Sequence, residues 1–250
     1  MKKIAFRTNR GAGFGHQFME WLFSWIYCQR EGYIFYHIPF AHQAEGLDNF
    51  VNIASGELLA SEHGGDVITE NEMTFTEYIN SDNNSLFIFD WNTRPYKADL
   101  LGVSNQDILD VRPVLRRKFF EANPPIDMTG VIAVHIRRDN VSLTVNSERF
   151  MPIEYFIDIL TKIKHDYPNH RIMVFSSNVD QNFHAIKECG VEYNLDTPVS
   201  DVLLYLINAP ILVASRSGIS FVASLISEET NIKICPKDFW HLWPEESVLI

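Results

Sequence analysis

The chain has 250 residues, 46% of them hydrophobic and 21% charged, a globular composition that excludes a disordered chain. Lys plus Arg number 21 and Asp plus Glu 32, a formal charge of −11 that disfavours non-specific binding to nucleic acid or to an anionic membrane surface. An anionic ligand must then be held by a local basic site working against the global field. The 3 cysteines, Cys28, Cys189 and Cys235, are odd in number and form no CxxC pair, so neither a disulfide framework nor a cysteine-rich zinc site is expected. A reducing, cytoplasmic setting fits. The N-terminus lacks the apolar core of a signal peptide, and the most apolar run, 21–28, is too short to span a bilayer.

The first elements read as a strand over 3–7, a Gly-rich loop at Gly11-Ala12-Gly13-Phe14-Gly15, a helix over 16–31 and a strand over 33–38. The helix carries Phe18, Leu22, Trp25 and Ile26 at helical spacing and stops at Gly32. Residues 41–84 give little pattern beyond a partly helical stretch over 47–59. A strand follows over 86–90, then a helix over 108–122 that Pro113 is expected to break or kink. Asn123-Pro124-Pro125 is the expected linker.

Beyond it, 131–136 reads as a strand buried on both faces. Pro152 opens a helix whose apolar stripe is Ile153, Phe156, Ile157, Leu160 and Ile163. Strands at 171–176, 211–214 and 232–235 alternate with helices at 179–189, 201–208 and 218–226. The alternation predicts an α/β fold: two halves, 1–125 and 126–250, each a parallel sheet covered by helices, facing a central cleft. Ligands of such sheets sit at the C-terminal ends of the strands. The unusual residues fall there: 11–16, 135–140 and 215–220.

Three segments are candidates for chemistry. Gly13 and Gly15 precede a helix whose free N–H groups suit an anion, but His16 stands where the dinucleotide fingerprint needs its third glycine, and no acid follows the second strand. The plainer alternative, favoured from this loop alone, is that the glycines only make a tight turn. His135-Ile136-Arg137-Arg138-Asp139-Asn140 is the most specific feature. Strand alternation sends Arg137 and Arg138 to opposite faces unless the strand ends, and a guanidinium in the cleft pairs bidentately with phosphate. The plainer alternative is a salt bridge to Asp139. Ser215-Arg216-Ser217-Gly218-Ile219-Ser220 opens a helix, where hydroxyls and N–H groups suit a pyrophosphate or simply cap the helix. No HExxH and no DxD occurs, so no metal site is expected.

The His135-Ile136-Arg137-Arg138 run resembles the H-x-R-R motif of the alpha-1,2/alpha-1,6 fucosyltransferase superfamily. Gly13 to Phe18 looks like that family's N-terminal G-x-G-N-Q-x loop, with His16 in place of Asn. Asp196 and Asp201 to Leu204 look like its D-x₄-D-L-x-L-M segment, and Ser215 to Leu225 like its S-x-S-S-F-S-x-x-A-x-L segment. The resemblance implies a GT-B architecture of two Rossmann-like halves, with the acceptor on the first and a nucleotide-sugar donor on the second.

It further implies metal-independent transfer of fucose from GDP-fucose to a glycan hydroxyl with inversion, the GDP-sugar being a substrate and no cofactor being needed. Carried over, Arg137 and Arg138 hold the diphosphate, helped by His135, Ser215, Ser217, Gly218 and Ser220, with Gly13 and Gly15 on the opposite half. Arg138 is ranked first for meeting the departing charge and Arg137 second. His16, Glu20, Asp139 and His135 are the candidates for the base, with His16 preferred. A UDP- or dTDP-deoxysugar donor, or a non-catalytic sugar-nucleotide-binding protein on the same fold, stays open.

Overall fold

A computed structural model describes residues 1–91, 101–138, 141–177, 181–239, 243–244 and 247–250, with the backbone alone for 181–184. The chain divides into two compact units, Met1–Asn123 and Pro124–Ile250.

The first unit opens with β1 (Lys3–Arg7), α1 (Phe14–Glu31) and β2 (Ile34–His37). Then come α2 (Leu47–Phe50), β3 (Leu58–Leu59), β4 (Val67–Thr69), α3 (Phe75–Asn80) and β5 (Leu86–Asp90). It closes on α4 (Asn105–Asp110) and α5 (Arg112–Ala122). The five strands are ordered β3-β2-β1-β5-β4, and every pairing is parallel. Helix α1 is buried along most of its length, and Phe18, Trp21 and Leu22 lie in the core. Gly32 ends it in the left-handed conformation, returning its N–H to Cys28 and Gln29.

The helix expected over 108–122 is broken at Pro113, as expected, and not kinked: Pro113 lies in the first turn of α5, and α4 ends just before at Asp110 with Val111 as its C-cap. Proline lacks an N–H and clashes with the preceding turn, so the chain starts a second helix there. The obscure stretch 41–84 supplies β3, β4 and α3. Two of these are edge strands of two and three residues, too short to print an alternating pattern.

The second unit runs β6 (Val131–His135), α6 (Ile153–Asp166), β7 (Arg171–Ser176), a 3₁₀ stretch Gln181–Cys189, β8 (Val191–Leu195), α7 (Val199–Asn208), β9 (Ile211–Val213), α8 (Gly218–Ile226), β10 (Ile232–Cys235) and β11 (Val248–Leu249). The helix expected over 179–189 is of the 3₁₀ type in its described part, and 178–180 lie outside the described residues. The six parallel strands are ordered β11-β10-β9-β6-β7-β8. Counted from β6, that order is 3-2-1-4-5-6, the Rossmann arrangement, whose connections reverse direction between β6 and β9.

Strand β6 is buried at all five residues. Ile132, Val134 and Ile136 face the core cluster that Ile153, Phe156, Leu160 and Ile163 of α6 complete. Ala133 and His135 alternate to the opposite face, where α7 and α8 pack.

Candidate functional site

The reversal between β6 and β9 opens a crevice at the C-terminal ends of the strands, and the unusual residues of the second unit collect around it. A pocket of about 150 Å³ lies there, walled by His135 and Arg137 at the end of β6, Ser176 and Ser177 at the end of β7, Thr197, Val199 and Val202 on entering α7, and Ser217 and Ile219 at the start of α8.

The two arginines part company. Ile136 still donates its N–H to Phe175 O at 2.9 Å, so the extended chain continues past the formal end of β6. Alternation then places Arg137 beside His135 on the pocket side and Arg138 with Ile136 on the α6 side. Arg137 lines the pocket. Arg138 is buried, lies 4.8 Å from the centre of the Phe150 ring and donates to Arg137 O at 3.0 Å. The side chain ranked first from the sequence thus lies against Phe150, in the segment that leads to α6, and its neighbour faces the pocket. Asp139, proposed as a base or as an ion-pair partner, lies outside the described residues, as does Asn140.

His135 is bound tightly to the serine segment. Its Nδ1 lies 2.7 Å from Ser220 Oγ and 3.2 Å from Ser215 Oγ. Ser215 also donates its N–H to Ser220 Oγ at 3.1 Å, closing the loop between β9 and α8 on itself. Burial, reinforced by the Arg137 cation, holds the His135 imidazole down to about 3, so the ring is neutral at physiological pH. Ser217 is the N-cap of α8 and accepts the Ile219 N–H at 3.3 Å, so the capping role expected of it is real. Ser217 also faces the pocket, and Gly218 begins the helix beside it.

The wall that the end of β7 and the entry to α7 supply was missed from the sequence. Asp196 and Asp201, which carried the resemblance there, do not line the pocket; Thr197, Val199 and Val202 do. Asp196 takes a left-handed φ of 52° at the end of β8 and is exposed. A Ser-Ser pair closing a strand and a Thr-Pro step opening a helix were the available signals, and both read as ordinary turn chemistry.

In the first unit the corresponding reversal lies between β1 and β5, and the Gly-rich loop follows β1. Here the polar side chains serve the loop itself. Gln17 accepts from Thr8 Oγ1 and Ala41 N and donates to Ala12 O and Ala41 O, at 2.7–3.1 Å. Glu20 is buried, accepts the Asn9 N–H at 2.6 Å and meets His16 Nε2 at 3.0 Å. Glu20 therefore orients His16 and the loop and is no open base.

His16 keeps about a quarter of its side chain exposed, at 26%. Gly13 is the N-cap of α1 with φ −71°, and a Cβ there would meet only Gln43 Oε1 at 3.9 Å. The tight-turn explanation therefore does not account for Gly13. Gly15 already lies inside α1.

Among the described residues no group of three or more His, Cys, Asp or Glu is placed to hold a metal ion, and no helix is long and apolar enough to cross a membrane. No family model matches the chain, and no curated protein matches it either. Solved structures do. POFUT1 in complex with GDP-fucose aligns at a TM-score of 0.52 and 11% identity, over 100% of this chain and 97% of that one. E. coli heptosyltransferase WaaC with ADP aligns at 0.55 and 12% identity, over 100% and 92%. At such identities the likeness is one of fold: two parallel-sheet α/β units of the GT-B type.

Proposed function

We propose that this chain is a glycosyltransferase that draws its sugar from a nucleoside diphosphate donor, held by the second unit in the pocket between β6 and β9. One observation carries the reading: a guanidinium, a neutral imidazole fixed by two serines, and a helix N-terminus converge at the crevice of a 3-2-1-4-5-6 sheet. Such a set meets a diphosphate, and among the described residues no carboxylate lines the pocket to repel it. POFUT1, which shares the fold, is seen with GDP-fucose, and the motif resemblance names the same donor, so GDP-fucose is the donor we propose. WaaC with ADP supports a second reading, a different nucleotide on the same site.

In the proposed reaction an acceptor hydroxyl oxygen attacks the anomeric carbon. The bond from that carbon to the β-phosphate oxygen breaks, and GDP leaves with the electron pair. The sugar carbon inverts, and the hydroxyl proton passes to a base, for which His16, oriented by Glu20, is our candidate. Arg137 stabilises the charge that develops on the leaving diphosphate, an interaction stronger in the transition state than before it. The acceptor proposed is a glycan, and no metal is assigned a role.

The test needs no acceptor. Thermal shift against GDP, UDP, dTDP and ADP identifies the nucleotide, and release of GDP from GDP-fucose in the presence of EDTA reports slow turnover to water. Stabilisation by GDP with chelator-insensitive release is expected. Stabilisation by ADP or UDP alone moves the chain to the second reading. Stabilisation by none of the four overturns the reading.

A further inference from the structure

The proton on His135 has a definite place, and it is found by counting. Ser215 and Ser220 are both buried, so their two hydroxyl protons must be placed within the cluster. Their hydrogen-bonding reach covers His135 Nδ1 and each other's oxygens. Ser220 Oγ already accepts the Ser215 N–H.

Suppose Nδ1 carried the ring proton. It would donate to Ser220 Oγ, and Ser220 would pass its own proton to Ser215 Oγ at 3.4 Å. The Ser215 hydroxyl proton would then have no acceptor among the described residues, and a stranded buried donor is disfavoured. If Nδ1 is bare, every proton is placed. Ser220 donates to Nδ1 at 2.7 Å, and Ser215 donates to Ser220 Oγ. A neutral imidazole with a bare Nδ1 carries its hydrogen on Nε2. No hydrogen bond from Nε2 to a described residue is formed, and the ring lines the pocket. Among the described residues no carboxylate lines that pocket to draw a second proton onto the ring, and Arg137 beside it opposes one.

We infer that Ser215 and Ser220 lock His135 in its Nε2–H form, so that the ring offers the pocket an uncharged donor for a phosphoryl oxygen of the nucleotide and cannot act as the base. The inference rests on the proposed donor site. It removes His135 from the candidates for the base and makes Ser220 a positioning residue, acting through the ring.

The test is a long-range ¹H–¹⁵N correlation spectrum of the intact chain labelled with ¹⁵N-histidine, with His135 assigned by the signals lost in His135→Gln. A pyrrole-type Nε2 and a pyridine-type Nδ1, unchanged between pH 8 and pH 5, are expected. A proton on Nδ1, or an imidazolium in that range, overturns the inference. Added GDP should shift the Nε2 proton downfield. If a nucleotide binds and that proton does not move, the donor role falls.

If the tautomer is as expected and none of GDP, UDP, dTDP and ADP binds, the tautomer stands and the proposed function falls, which keeps the two failures apart. Ser220→Ala should let the ring proton move toward Nδ1 and weaken GDP binding by about three- to tenfold, the effect of one hydrogen bond. A Ser220→Ala variant that keeps the Nε2–H ring and full affinity counts against the positioning role.

Discussion

The two units have the same central geometry and use it differently. In each, the first strand pairs with the second on one side and with a late strand on the other, β1 between β2 and β5, β6 between β7 and β9. In the first unit the polar groups beyond that strand turn inward. Gln17 ties Thr8, Ala12 and Ala41 together, and Glu20 ties Asn9 to His16. In the second unit Ser215 and Ser220 are spent on His135, and the result is a ring and a guanidinium facing a pocket. One crevice stabilises its own loop; the other turns a ring and a guanidinium toward a pocket. Motif position alone does not separate the two, whereas tracing where each hydrogen bond goes does.

The comparison is broken most directly at the arginines. Arg137→Ala should cost nucleotide affinity by about 1.5–3 kcal/mol, the worth of a charge-assisted hydrogen bond, with the melting temperature little changed. Arg138→Ala should do the reverse. It removes the packing on Phe150 and should lower stability by about 1 kcal/mol, read by denaturant unfolding, with affinity changing less. An Arg138→Ala variant that loses binding and keeps full stability would restore the ranking drawn from the sequence.

Acid provides the next test. Folding depresses the His135 pKa from about 6.5 to about 3, so the unfolded chain takes up a proton first as the pH falls. Its contribution is complete above pH 6.5 and is lost progressively toward pH 3. Each pH unit below 6.5 should cost about 1 kcal/mol from this one ring. Urea unfolding at pH 6.5, 5.5 and 4.5 measures the slope, and a His135→Gln variant should show a shallower one. Equal slopes in the two would mean that the imidazole is not held neutral.

In the first unit Glu20→Gln should lower stability by about 1–2 kcal/mol, since a buried charge-assisted bond to the Asn9 N–H is weakened. Hydrogen exchange over 8–16 should rise in that variant. The smallest effect belongs to Gly13→Ala, which has an ordinary φ and room for the methyl, and should change stability by less than about 0.5 kcal/mol. A large loss there would show that the loop itself requires the glycine.

The long elements were legible because their periodicity is strong. The α6 stripe and the unbroken apolar run of β6 appear in the sequence as they appear in the core. The strand order was not, because pairing is set by crossovers that leave no local mark, and it is the order that locates the pocket between β6 and β9. The His135, Arg137 and serine segments were legible as candidates. Which arginine faces the pocket depended on whether extended backbone continues past His135. A single hydrogen bond, Ile136 N–H to Phe175 O, decides that, and composition does not encode it. The α7 wall escaped because small hydroxyl and valine residues are unremarkable in sequence and acquire meaning only around a cavity.

The central claim is that a nucleoside diphosphate occupies the second unit at the reversal between β6 and β9. Hydrogen–deuterium exchange of the chain with saturating GDP, UDP, dTDP or ADP tests it most directly. The account predicts protection, with at least one of them, in the segments around 135–138, 176–177, 197–202 and 215–220 together. Protection confined to 8–20, or in none of these segments with any of the four, would contradict it.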